Sequence, residues 1–254
     1  IDGLRDRLRM MEGLEVAREI QLNLIPQSPP LVPGLDIACL SDFSDETGGD
    51  YYDFISIGGD RLEVVVGDVT GHGIGAALLV ASSRAFLRQR AFQGGDLAQR
   101  MNDVNRLITR DTFGTGRTIS LFQLSLDIRG FGYSWVSAGH EPALIHDPGS
   151  GGFTELGGKN ILLGVDEGWQ FKEEKSEAPL APGQIIVIGT DGIWETRSPQ
   201  GEMYGMDRYR RVIMGNAASP AQAILTAIVD DVAAFRGTDP QEDDATLVVI
   251  KAVR

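Results

Sequence analysis

GGDYYDFISIGGDRLEVVVGDV, residues 48–69, is the stretch that decides the fold. Two apolar runs, Tyr51–Ile57 and Leu62–Val69, flank Gly58-Gly59-Asp60, a turn of the kind that joins hairpin strands. An aspartate borders each run: Asp50 follows Gly48-Gly49, and Asp68 follows Gly67. Two more stand far along the chain, Asp191 in Thr190-Asp191-Gly192 and Asp243 in Asp243-Asp244-Ala245-Thr246, each at the edge of a hydrophobic stretch. Carboxylates from separate strand ends, with glycines letting the backbone come close, suit hard divalent cations, which take oxygen ligands. Two such ions can activate a water toward a phosphoryl group, so the four aspartates point to metal-dependent phosphate chemistry.

Outward from this stretch, further strands are predicted over 35–43, 118–127, 132–137, 143–146, 153–156, 184–190 and 245–253. Between them lie an apolar helix over 75–92, broad enough in its apolar face to be buried against a sheet, and a second helix over 96–109. A late helix is marked by Ser219 as cap, Pro220 at its first position and Gln222 completing a capping box. Ala221, Ile224, Leu225, Ile228, Val232 and Phe235 form its buried stripe. Helices outside runs of hairpin-like strands make an α+β fold of stacked antiparallel sheets.

Residues 1–33 read as a separate segment ahead of a domain over 34–254. Leu4, Leu8, Met11, Leu14, Ala17, Ile20 and Leu24 recur at helical spacing over 1–25, and Pro26, Pro29, Pro30 and Pro33 end the helix in an extended hinge. A one-striped helix of this kind packs on its own domain or on a second copy of itself.

The chain has 254 residues and a net charge of −13, which disfavours nucleic acid and anionic membrane surfaces as partners. No apolar run has the roughly 18 residues needed to span a bilayer. The single cysteine, Cys39, cannot form an internal disulfide, so a cytoplasmic setting is expected.

In order along the chain stand Ala17-Arg18-Glu19-Ile20-Gln21 with Leu24-Ile25-Pro26, Gly48-Gly49-Asp50-Tyr51-Tyr52-Asp53, Gly67-Asp68-Val69-Thr70-Gly71-His72-Gly73, Ala138-Gly139-His140-Glu141-Pro142-Ala143, Thr190-Asp191-Gly192-Ile193-Trp194-Glu195 and Asp243-Asp244-Ala245-Thr246-Leu247. Taken together, these motifs resemble the metal-dependent protein phosphatases of the PPM or type 2C class, in their bacterial SpoIIE/RsbU branch. The resemblance implies an α/β-β/α sandwich of two antiparallel sheets flanked by helices, with two Mn2+ or Mg2+ ions at one end. Asp68 would bridge both ions and the Val69 carbonyl would bind one. Asp50 would serve one ion, and Asp191 and Asp243 the other, with Asp244 the alternative to Asp243. A water activated through Asp68 and Asp191 would attack phosphorus in line.

In such a site Asp53 reads as a turn residue or a support to the ligands. His72 reads as a candidate general acid or as a turn histidine beside the site. His140 stands where the eukaryotic branch has an aspartate, which argues against a third ion held in the same way. The implied substrate is phosphoserine or phosphothreonine on a STAS-type anti-sigma-factor antagonist in stress-response partner switching. An upstream sensor domain and a homodimer are the implied regulators. The competing reading is a catalytically silent phosphatase-like adaptor that binds a signalling partner; the complete acidic set favours the enzyme.

Overall fold

The computed structural model describes the backbone of residues 2–253 and the side chains of residues 11–253, so Leu4 and Leu8 lie outside the described side chains. The helices are α1 (Asp2–Leu24), α2 (Ile74–Ala91), α3 (Leu97–Thr112), α4 (Met206–Gly215) and α5 (Ala221–Arg236). The strands are β1 (Leu35–Asp42), β2 (Asp50–Ile57), β3 (Arg61–Val69), β4 (Ile119–Asp127), β5 (Tyr133–Ala138), β6 (Ala143–Asp147), β7 (Gly152–Leu156), β8 (Glu174–Lys175), β9 (Ile185–Gly189) and β10 (Ala245–Ala252).

Two five-stranded sheets result, ordered β1-β10-β9-β6-β7 and β2-β3-β4-β5-β8, and every strand pairing in them is antiparallel. Strand alternation explains how they stack, because successive side chains face opposite sides. On β3, Val64 and Val66 point into a core shared with Ile186, Ile188, Val248 and Ile250 of the other sheet. Val65 and Val69 point the other way, into a second core with Leu79, Val80, Met101 and Ile108 of α2 and α3. A third core joins Val187 and Val249 to Ile213, Ile224 and Ile228 beneath α4 and α5. Three cores separate four layers, helix–sheet–sheet–helix, which is the expected sandwich. No helix among the described residues is long and apolar enough to cross a membrane.

The structure departs from the local sequence signals in three places. The capping box expected at Ser219 and Gln222 does not form: α5 begins after Pro220, and its Ala221 N–H is satisfied instead by Asp36 Oδ2 at 2.7 Å. A tertiary carboxylate has replaced a local cap. Helix α4 and the two-residue β8 are additions to the predicted elements. Met206, Tyr209, Val212 and Ile213 of α4 recur at helical spacing among charged residues and turn to the third core. In α1 the predicted stripe divides: Leu14, Ala17 and Leu24 are half-covered, whereas Met11 and Ile20 are more than half exposed.

Candidate active site

The β2–β3 register sets Asp50 directly opposite Asp68, so one hairpin delivers two carboxylates to the same end of its sheet. In the other sheet β9 and β10 pair with Gly189 opposite Leu247. Asp191 just after β9 and Asp243 just before β10 therefore emerge together. Stacking the sheets joins the two ends. Asp68 sits between two adjoining hollows: one of about 240 Å3 with Ser120, His140, Thr190 and Asp191, and one of about 370 Å3 with Asp45, His72, Asp243 and Asp244. Asp68, Asp191 and Asp243 thus line one cleft, with Asp50 buried against Asp68.

Their electrostatics are unfavourable as they stand. Burial, followed by repulsion from Asp191, Asp243 and Asp244, raises the Asp68 carboxyl to about 7. Asp50 is 2 % exposed, and burial first, then the neighbouring Asp68 charge, pushes it well above the ordinary range. Thr190 Oγ1 opposes this in part by donating to Asp50 Oδ2 at 2.6 Å. Asp243 is also raised, chiefly by burial. No guanidinium or ammonium of the described residues is within ion-pair distance of Asp50, Asp68, Asp191 or Asp243, a set that calls for an added cation.

The backbone leaves room for one. A Cβ at Gly49 would lie 2.8 Å from the Val69 carbonyl oxygen, 3.1 Å from that of Gly71 and 3.4 Å from Asp68 Oδ1. The missing side chain thus keeps open a space bordered by three oxygens, the donor type that Mg2+ and Mn2+ prefer. Among the described residues no three His, Cys, Asp or Glu side chains close into a cage by themselves. Carbonyls and waters would have to complete any coordination, as Mg2+ in particular tolerates. Gly192 meets a tighter demand, since a Cβ there would lie 1.9 Å from the Asp244 carbonyl oxygen. The turn carrying Asp191 can pass the turn carrying Asp243 only as glycine.

Asp244 is used differently from its neighbour. Its Oδ1 accepts from the Ser44 N–H at 2.7 Å and the Ser44 hydroxyl at 3.0 Å, and its Oδ2 accepts from the Gly49 N–H at 2.7 Å. Both oxygens are occupied in anchoring the loop ahead of Asp50. Asp243 accepts only the Asp244 N–H, at 2.8 Å on Oδ1, and keeps its second oxygen for the cleft.

The three remaining candidates separate clearly. Asp53 is neither in a turn nor in the cleft; it lies within β2, fully buried, in a bidentate pair with Arg88 of α2 at 2.6 Å for both bonds. His72 stands on the open flank with its side chain 87 % exposed and Nδ1 3.3 Å from Asp45. His140 is buried, and its Nδ1 donates to the Glu141 carbonyl at 2.9 Å, leaving Nε2 without the proton. Burial lowers its pKa, so the ring borders the hollow as a neutral imidazole.

Sequence reasoning gave no role to Thr190 or to Gln21. Gln21 is 3 % exposed, and its amide grips the Gly48 backbone both ways, Nε2 to the carbonyl at 2.6 Å and the N–H to Oε1 at 3.0 Å. Helix α1 is thereby tied to the turn that carries Asp50. A polar residue on the inner face of an otherwise apolar stripe was the available signal.

The family model for stage II sporulation protein E (SpoIIE) matches residues 58–253. Phosphoserine phosphatase RsbU of Bacillus subtilis is 26% identical over 94% of this chain and 69% of its own length. Protein IcfG of Synechocystis is 27% identical over 97% of this chain, which spans only 42% of that protein. Among solved structures, the RsbU and RsbW domains of Rv1364c from Mycobacterium tuberculosis share 27% identity at a TM-score of 0.76, over 91% of this chain and 63% of that one. The SiaA-PP2C domain of Pseudomonas aeruginosa superposes at a TM-score of 0.84 with 22% identity, over 97% of this chain and 98% of that one, a likeness of fold. With the family model covering most of the chain and the acidic cleft in place at the ends of both sheets, the chain belongs to the SpoIIE family and is a protein serine/threonine phosphatase of the PP2C-like type.

Proposed function

We propose that the chain hydrolyses phosphoserine or phosphothreonine on a STAS-type anti-sigma-factor antagonist, using two Mn2+ or Mg2+ ions, in cytoplasmic stress-response partner switching. The observation that carries the metal dependence is the unpaired carboxylate set beside the oxygen-bordered space at Gly49. In this reading Asp68 would serve both ions, the Val69 carbonyl and Asp50 one of them, and Asp191 and Asp243 the other, while Asp244 holds the loop. Bound cations would supply the positive charge that neutralises phosphoryl oxygens and acidifies the attacking water. The protein's own work is to hold the carboxylates in place: Thr190 orients Asp50, Asp244 pins Ser44 and Gly49, and Gly192 lets the two turns cross. His72 is left outside this machinery because its ring turns to Asp45 on the exposed flank.

The STAS-type substrate is supported by the company the relatives keep: RsbU and RsbP are named phosphoserine phosphatases, and one solved neighbour joins RsbU and RsbW domains. Residues 1–33 form the regulatory segment in this proposal. Met11 and Ile20 present apolar surface for a second copy or an upstream sensor domain, and Gln21 carries any shift of α1 to Gly48 and so to Asp50. The deciding assay is Mn2+-dependent phosphate release from p-nitrophenyl phosphate and from a phosphoserine STAS-domain protein. No turnover of either at saturating Mn2+ would sink the enzyme in favour of the adaptor.

A further inference from the structure

The two flanks of the cleft differ in character. On one side stand Asp45 and Glu242 with His72. The other is the free end of the α2–α3 hairpin, where α2 starts and α3 finishes. There Ile74 and Leu78, one turn apart on α2, are 47% and 65% exposed, and Phe113, just past α3, is 88% exposed. Arg117 lies across the start of α2. Its guanidinium fills the space that a side chain at Gly71 or Gly75 would take, and Nη1 donates to the Thr70 carbonyl at 3.3 Å. Some surface arginines of this acidic chain find carboxylates, as Arg110 does on Glu167 and Arg129 on Asp60. Arg117 has none within ion-pair reach among the described residues.

This end is joined to the chemistry through the chain. The chain runs from Asp68 through Thr70 and Gly71, both bordering the hollows, directly into α2. A phosphoserine side chain is short, so the protein around it must rest on whatever borders the cleft. The Asp45–Glu242 side repels an anionic phosphoprotein, whereas three exposed apolar side chains around a free guanidinium have the make-up of a binding surface.

We propose that Ile74, Leu78, Phe113 and Arg117 form the docking surface for the folded phosphoprotein substrate, with Arg117 facing its phosphate or an acidic side chain beside it. This rests on the phosphatase reading, and the test keeps the two separable. Steady-state kinetics with Mn2+ are compared on p-nitrophenyl phosphate, on a phosphoserine STAS-domain protein and on the phosphoserine peptide of the same sequence. The wild-type chain should prefer the folded protein to the peptide. The Leu78→Ser/Phe113→Ser variant should raise KM for the folded protein by about tenfold or more, with peptide and p-nitrophenyl phosphate turnover unchanged. Arg117→Gln should also raise KM for the protein. A wild-type chain that turns over p-nitrophenyl phosphate but shows no preference for the folded protein overturns the docking surface and spares the phosphatase. The docking surface is equally overturned if the double variant keeps its KM, or if sedimentation shows that it has lost self-association instead, which would make the patch a contact between copies.

Discussion

Strands β2 and β3 each carry two acids, one near the cleft and one further along, and the two kinds are treated in opposite ways. Asp53 and Glu63 lie under the helices, Asp53 against Arg88 and Arg84 of α2, Glu63 against Arg100 of α3 and Gln123 of β4. Asp50 and Asp68, a few residues away on the same strands, have no arginine or lysine and are driven toward their neutral forms by burial and by one another. A buried carboxylate given a guanidinium belongs to the fold. One left without a partner is held ready for a charge from outside. The same hairpin thus fastens α2 and α3 at one end and keeps its other end open for phosphate chemistry.

The sharpest way to break this contrast is Asp68→Asn. Activity on p-nitrophenyl phosphate should fall by about a thousandfold or more, since the group proposed to serve both ions is lost. Calorimetric titration should show two-site Mn2+ binding abolished, while thermal unfolding of the metal-free protein stays unimpaired. Undiminished two-site binding would refute the bridging role. The mirror experiment is Glu63→Gln, which leaves Arg100 buried without its counter-charge. Denaturant unfolding should register a loss of about 3 kcal/mol, with Mn2+ affinity of the folded fraction retained. Equal effects of the two substitutions on stability would erase the distinction.

A pH series tests the unpaired set as a group. Asp68 and Asp50 have folded pKa values above their unfolded ones, so between about pH 4 and pH 7 the folded state holds more protons than the unfolded state. The metal-free protein should therefore lose stability as pH rises through this window, and its melting temperature should be lower at pH 8 than at pH 5. Saturating Mn2+ at pH 8 should restore the difference, because the cation replaces the missing protons. A metal-free melting temperature that climbs steadily from pH 5 to 8 would contradict the strained carboxylate set.

Asp243 and Asp244 provide a finer version of the contrast within two residues. Asp244→Asn should cost roughly 1–2 kcal/mol of stability through its anchoring bonds to Ser44 and Gly49. Asp243→Asn should leave unfolding nearly unchanged and remove one Mn2+ site. Reversed outcomes in paired melting and titration experiments would exchange the two roles. The smallest effect is expected at α1: Ser at both Met11 and Ile20 should shift basal activity or the self-association constant by only a few-fold, with the melting curve unmoved. If sedimentation and Mn2+-dependent kinetics both stay as in the parent, those side chains are plain surface.

By itself the sequence determined nine of the ten strands, the main helices and the four acidic positions. Each is a local matter: apolar alternation marks strands, and Gly-Asp pairs mark close turns at their ends. Tertiary structure decided which acids do what. Asp53 and Asp50 look alike in Gly-Gly-Asp-Tyr-Tyr-Asp, yet Arg88, brought from 35 residues away, claims only Asp53. Asp243 and Asp244 are adjacent and chemically identical, and they differ because Ser44 and Gly49, some 200 residues earlier, meet only one of them. The cap of α5 went to Asp36 on β1 rather than to Ser219 beside it. A carboxylate's role depends on the charges and donors within a few ångströms, and at long range in sequence those neighbours are set by how the layers stack.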